Sequence, residues 1–144
     1  MSGDGPLVGR STVFAKTLTE ADLMAFAAIS GDDHPLHTDP DVAVAAGLAG
    51  PILQGSLLVG LMAGASTQFF RDLARPALSY GYDRLRFTGQ VHPGERLSVG
   101  YEITRHELDS GKTWADVKVT TADGSLAAVA VHVAKLLVPA EAGT

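Results

Sequence analysis

Two carboxylates and two imidazoles fall within six consecutive residues of this chain, Asp32-Asp33-His34-Pro35-Leu36-His37, directly after Gly31. Aspartate and histidine are the side chains most used to move protons at neutral pH, and a proline among them stiffens the turn that carries them. A polar-capped helical pattern precedes the stretch. The run Pro51 to Ala65 beyond it is almost entirely apolar and small. A rigid, titratable elbow beside an apolar helix suits proton transfer on a mostly apolar substrate. Plainer readings compete: Asp32 as a loop-capping carboxylate and His37 as a hydrogen-bonded loop histidine. Metal binding is a further rival. Asp32, Asp33, His34, His37, Asp39 and Asp41 are ligand types, and His34 to His37 is a usable spacing. One loop seldom aims so many groups at one ion, and no second ligand cluster follows, so no metal is assigned.

Elements that would position the elbow can be read on both sides of it. Val8 to Lys16 alternates weakly, as a first strand would. Thr19 is an N-cap with Asp22 at the capping-box position, Leu23, Phe26, Ala27 and Ile29 form an apolar stripe, and Gly31 is a stop. This predicts a helix over 20–30. Asp39 and Pro40 cap a short helix over 41–46. Ser56 to Phe70 reads as a long helix buried on all sides. Its Gly60 and Gly64 imply close approach of a sheet or a ligand to the helix backbone. From Ser79 onward the pattern is of strands. Leu97, Val99, Tyr101 and Ile103 share one face, as do Ala115, Val117 and Val119, with turns at Pro93-Gly94, Asp109 to Lys112 and Asp123-Gly124. Ala127 to Val138 closes as a central strand, stopped by Pro139 before a short tail. Helices followed by hairpin-linked strands indicate an α+β class, and neither a repeat nor a linker interrupts 1–144, so one domain is expected.

Bulk properties exclude several functions. The chain has 144 residues, 46% hydrophobic and 19% charged, with a net charge of −5. That is enough apolar surface for a core, and the acidic balance argues against nucleic acid as a partner. No cysteine is present, so thiolate chemistry and disulfides are absent. The apolar run from Pro51 is shorter than the ~20 residues a bilayer span needs, and Gln54 and Ser56 interrupt it. Met1 to Gly9 lacks the features of a secretory signal. A cytoplasmic protein without a membrane segment is the expectation.

The stretch Phe26-Ala27-Ala28-Ile29-Ser30-Gly31-Asp32-Asp33-His34-Pro35-Leu36-His37 resembles the motif of the MaoC-like, R-specific enoyl-CoA hydratase family: aromatic, small spacer, Ser, Gly, Asp, any, Asn, Pro, aliphatic, His. Pro51-Ile52-Leu53-Gln54-Gly55-Ser56-Leu57 is similar to that family's approach to its central helix. Arg86-Phe87 and Val91 to Glu95 resemble its later strand and turn. The likeness extends over nearly the whole chain in order. Two departures stand out: His34 replaces the motif's asparagine, and Gln54-Gly55-Ser56 replaces His-Gly-Met.

The resemblance implies a hot-dog fold, an antiparallel sheet wrapped around a long central helix. It implies reversible hydration of trans-2-enoyl thioesters to R-3-hydroxyacyl thioesters. Asp32 and His37 are then the acid/base pair, with the split between them open. The Gly55 N–H is the donor to the thioester oxygen, at a helix start that favours negative charge. Pro35 and Ser56 touch substrate, and His34 orients the pair. No cofactor is implied, since coenzyme A or a carrier protein bears the substrate thioester. A homodimer is implied, with an acyl carrier protein as a further partner for carrier-bound substrates. Two other functions compete: a hot-dog thioesterase, and a non-catalytic acyl-binding partner subunit. The first is disfavoured because Ser56 to Phe70 has no carboxylate, the second because Asp32 and His37 are both present. Arg71, Arg75, Arg84 and Arg86 read as solvated surface groups, and Trp114 as strand packing.

Overall fold

The computed structural model describes residues 5–137. A first strand, β1 (Ser11–Thr17), leads into α1 (Glu20–Ser30), the short helices α2 (Pro35–Thr38) and α3 (Pro40–Ala45), and the long α4 (Gly55–Asp72). Four strands complete the fold: β2 (Ala77–Phe87), β3 (Arg96–His106), β4 (Lys112–Thr121) and β5 (Leu126–Leu136). The expected continuation of the last strand to Val138, and the Pro139 stop, lie outside the described residues.

All five strands form one antiparallel sheet in the order β1-β3-β4-β5-β2. Alternation sets its faces. Leu97, Val99, Tyr101 and Ile103 of β3 and Ala115, Val117 and Val119 of β4 are all buried, while their neighbours in sequence point the other way. Helix α4 lays Leu58, Leu61, Met62, Ala65 and Phe69 onto this face. The Phe69 and Tyr101 rings meet there with centroids 5.4 Å apart.

The expectation of a sheet wrapped around a central helix is not met. The sheet is open, with β1 and β2 as its edges, and α4 lies on one face of it against β1, β3 and β4. Nor is α4 buried on every side, since Ser56, Gly60, Ala63, Thr67 and Arg71 are exposed along one stripe. Strand β2 breaks register with β5 at Ser79/Gly81 and again at Asp83/Arg86, and Arg84 has φ 51°. Such irregularities bend a strand. A cavity of about 580 Å³ opens here, lined by residues that include Ser66 and Phe70 of α4, Ser79 and Tyr82 of β2, and His132 of β5. Close approach explains only one of the two helix glycines: a Cβ on Gly64 would come within 3.0 Å of the Phe14 ring, whereas Gly60 faces open space. Trp114 is only half-buried, and the Arg105 guanidinium lies over its ring at 4.2 Å.

His132 of β5 is buried, and its ring bridges side chains of β3 and β2. Its Nδ1 shares a hydrogen bond with the Tyr101 hydroxyl at 2.7 Å, and its Nε2 shares one with Ser79 Oγ at 2.8 Å. Burial disfavours the charged ring and pushes its pKa down to about 4, and the same effect raises that of Tyr101.

Candidate active site

The elbow is built by the way α1 ends. Thr19 and Asp22 form the reciprocal capping box at its start: Asp22 N–H donates to Thr19 Oγ1 at 3.2 Å, and Thr19 N–H donates to Asp22 Oδ2 at 2.9 Å. At its other end Gly31 turns left-handed, with φ 81°, and returns its N–H to Ala27 O at 2.9 Å. A residue with a Cβ resists that conformation. Ser30 Oγ donates to Phe26 O at 2.7 Å and accepts from Asp32 N–H at 3.1 Å. Asp32 thus leaves the helix on a defined path.

Helix α2 then presents His37. His34 is its N-cap, and His34 Nδ1 accepts from Leu36 N–H at 3.1 Å. An imidazole nitrogen here occupies the role that an asparagine side-chain oxygen commonly fills. Pro35 follows at the first helical position, where its missing N–H costs nothing. His37 Nδ1 lies 2.7 Å from the carbonyl oxygen of Ile52, so Nδ1 carries the hydrogen and donates it. That leaves Nε2 as the position that exchanges a proton, and it stands 3.7 Å from Asp32 Oδ1. The imidazole is 14% exposed and the carboxylate 44%. The histidine is therefore held while the carboxylate still meets solvent.

Segment 51–54 ties the site together. Ile52 N–H donates to Leu36 O at 3.2 Å and Leu53 N–H to Val91 O at 2.7 Å. His92 Nδ1 is hydrogen-bonded to Pro51 O at 2.9 Å. Gln54 is fully buried, and its Nε2 donates to Leu23 O at 3.1 Å and Asp32 O at 3.3 Å. Because its amide points inward, Gln54 caps α4 without a side-chain bond to the helix. The Gly55 and Ser56 N–H groups find no acceptor among the described residues, whereas Leu57 N–H reaches back to Gln54 O at 3.1 Å. Free amides at the start of an 18-residue helix favour an anionic or partly charged oxygen. Beside them is a cleft of about 390 Å³ whose lining includes His37, Ile52, Gly55, Leu58, Phe87 and Val91.

Asp32, His37 and Gly55 therefore converge: the first two face each other, and the last two line one cleft. Pro35 and Ser56 do not join them. Both are exposed and absent from the cleft lining. The His34 ring sits 6.5 Å from that of His37, edge-on, and acts on the backbone of α2 rather than on the pair. Ser30, Gln54 and Phe87 stand in the motif segments quoted above, but the sequence assigned none of them a role at the site. Ser30 carried a usable signal as a hydroxyl two residues before the Asp, and Gln54 as a lone amide in an apolar run. Phe87 carried none, because its place over Gly55 is a tertiary contact.

An antiparallel five-stranded sheet with a long helix on one face and a polar elbow at that helix's start defines a hot-dog protein of the hydratase type. The chain belongs to the MaoC like domain family, which it matches over residues 6–127. It is 31% identical over 136 residues to the (R)-specific enoyl-CoA hydratase of Aeromonas caviae, covering 94% of this chain and 99% of that protein. A solved (R)-hydratase from A. caviae involved in PHA biosynthesis superposes with a TM-score of 0.81 at 30% identity, covering 90% of this chain and 96% of that one. The peroxisomal multifunctional enzyme type 2 of Drosophila melanogaster is 41% identical over 81 residues, 56% of this chain but 13% of the longer protein.

Proposed function

We propose that this chain is an R-specific enoyl thioester hydratase, interconverting trans-2-enoyl and R-3-hydroxyacyl thioesters without a cofactor. The observation that carries the reading is the Asp32–His37 pair beside the free amides of α4. In the hydration direction the Asp32 carboxylate takes a proton from water as its oxygen bonds to Cβ. Protonated His37 releases the Nε2 proton to Cα, since Nδ1–H is engaged by Ile52 O. The Gly55 N–H stabilises charge that builds on the thioester oxygen between these events. One water has then been added. Transfer of the proton from Asp32 back to His37 across the short gap restores the starting state.

The substrate is a thioester of coenzyme A or of a carrier protein, and the chain acts as a single-domain homodimer in the cytoplasm. No helix among the described residues is long and apolar enough to cross a membrane. The thioesterase reading is weaker. Helix α4 carries one carboxylate, Asp72, at its exposed last residue, and none on the face that meets the sheet. The partner-subunit reading is weaker because Asp32 and His37 are both present and facing.

The test follows loss of enoyl thioester absorbance with crotonyl-CoA and a medium-chain trans-2-enoyl-CoA, with free thiol assayed in the same tubes. Absorbance loss without thiol, abolished in both Asp32→Asn and His37→Ala, is expected. Thiol release would replace the hydratase by a thioesterase. Silence of the wild type on both substrates and on a carrier-bound enoyl thioester would leave the partner-subunit reading.

A further inference from the structure

Gln54 is buried to 0% exposure, yet only half of its amide is used. Nε2 donates to two carbonyls, while Oε1 has no partner among the described residues. Buried acceptors are rarely left unpaired. Flipping the amide would not help, since Oε1 would then face two carbonyl oxygens. The orientation is set by the need for donors at Leu23 O and Asp32 O. We infer that Gln54 is a positioning residue for catalysis, whose buried amide fixes the Asp32 backbone and with it the aim of the carboxylate at His37. The inference rests on the hydratase reading.

Three observations support this role over simple core filling. First, the two carbonyls lie on opposite sides of the Gly31 turn, one inside α1 and one beyond it, so a single NH₂ group straddles the turn that launches Asp32. Second, Asp32 is held on its other side by Ser30 Oγ at its N–H. Its peptide groups are thus anchored fore and aft. Its carboxylate makes no hydrogen bond within the described chain, only the 3.7 Å approach to His37. Where the carboxylate points therefore depends on where the backbone is held. Third, Gln54 is also the N-cap residue of α4 and immediately precedes Gly55. One residue thereby sets the spacing between the acid/base pair and the helix amides that meet the thioester oxygen.

The test compares Gln54→Met, which keeps length and bulk but has no donor, with Gln54→His, which restores one ring N–H. Steady-state hydration of crotonyl-CoA is read with the ¹⁵N shifts of His37 and amide exchange over 31–34. For Gln54→Met, kcat should fall ~10–100-fold, the scale of a misplaced catalytic group, with KM changed by less than about threefold. The His37 shifts should move and exchange at Asp32 should accelerate. Gln54→His should recover most of kcat. Unchanged kcat in Gln54→Met, or an equal loss in Gln54→His, would overturn the inference. So would a lowered melting temperature with His37 shifts and Asp32 exchange unaltered, which is what a purely structural role produces. If the wild type hydrates no enoyl thioester, the hydratase reading fails, and the shifts and exchange still decide whether Gln54 aims Asp32. Should Gln54→Met not fold, Gln54→Asn, with its donors on a shorter arm, takes its place in every readout.

Discussion

Gly55 offers the sharpest test of the cleft geometry. A Cβ built on it would lie 2.7, 2.8 and 2.9 Å from three atoms of the Phe87 ring. Ordinary carbon contacts are about 3.5–4.0 Å, so Gly55→Ala forces the ring and the helix start apart by roughly 1 Å. Phe87 is 51% exposed and can swing outward, so the fold should survive, with a melting temperature close to wild type. The cost should fall on the reaction. A displacement of ~1 Å at a reacting group can lose about 10²-fold in rate, or roughly 2.7 kcal/mol of transition-state stabilisation. Loss of a whole oxyanion donor, ~10²–10³-fold, sets the upper end. Removing the obstructing ring should undo much of this. Gly55→Ala with Phe87→Ala is expected to be at least about tenfold faster in kcat than Gly55→Ala alone, with Phe87→Ala as the control for lost substrate contact. The assay is the loss of enoyl absorbance at saturating crotonyl-CoA. Full activity in Gly55→Ala, or a double variant no faster than the single one, would refute the reading that this ring and this amide share the thioester site.

Asp32→Asn and His37→Ala should each lower kcat by ~10²–10⁴-fold. The double variant should be little worse than the poorer single one, because the two groups act as a unit; additive losses measured by the same absorbance assay would count against a shared proton path. His132 should make the fold acid-sensitive. Its folded pKa, about 4, lies below the unfolded value of 6.5, so the unfolded chain binds the extra proton first and stability falls as pH drops from 6.5 to 4. The full difference is roughly 3 kcal/mol, read as a shift in urea midpoint, and His132→Gln should flatten that slope. Thr19→Ala removes the capping-box oxygen of α1 and should cost about 1 kcal/mol in urea unfolding with kcat unchanged.

Local chemistry made much of this protein legible in its sequence. Thr19, Asp22 and Gly31 bound α1 at Glu20–Ser30 as the cap pattern predicts, because caps act over three or four residues and need no distant partner. Alternation on β3 and β4 identified the buried face, because a strand's side chains switch sides at every residue. The Asp39-Pro40 start of α3 and the glycine turns at 94, 111 and 124, all with positive φ, were visible for the same local reason. Helix α2 was not. Four residues with no buried side chain form no periodic pattern, and their cap is an imidazole.

The candidate site divides along the same line. Asp32 and His37 stand out by residue type and spacing, and the sequence alone determined that both sit on one short elbow ahead of an apolar helix. Only the tertiary structure decided what they face. Small residues concealed the exposed side of α4, since glycine and alanine look equally apolar in a core or in water, and hydropathy could not show that Ser56 turns outward while Gly55 lines the cleft. Whether the sheet wraps the helix or stays open depends on which strands pair, and in what order, over long range, and such pairing leaves no periodic mark. The aim of the Gln54 amide across 22 residues to Asp32, and the ring of Phe87 over Gly55, are contacts between distant segments. Nothing in local sequence constrains them, because their geometry exists only once the sheet and helices have packed.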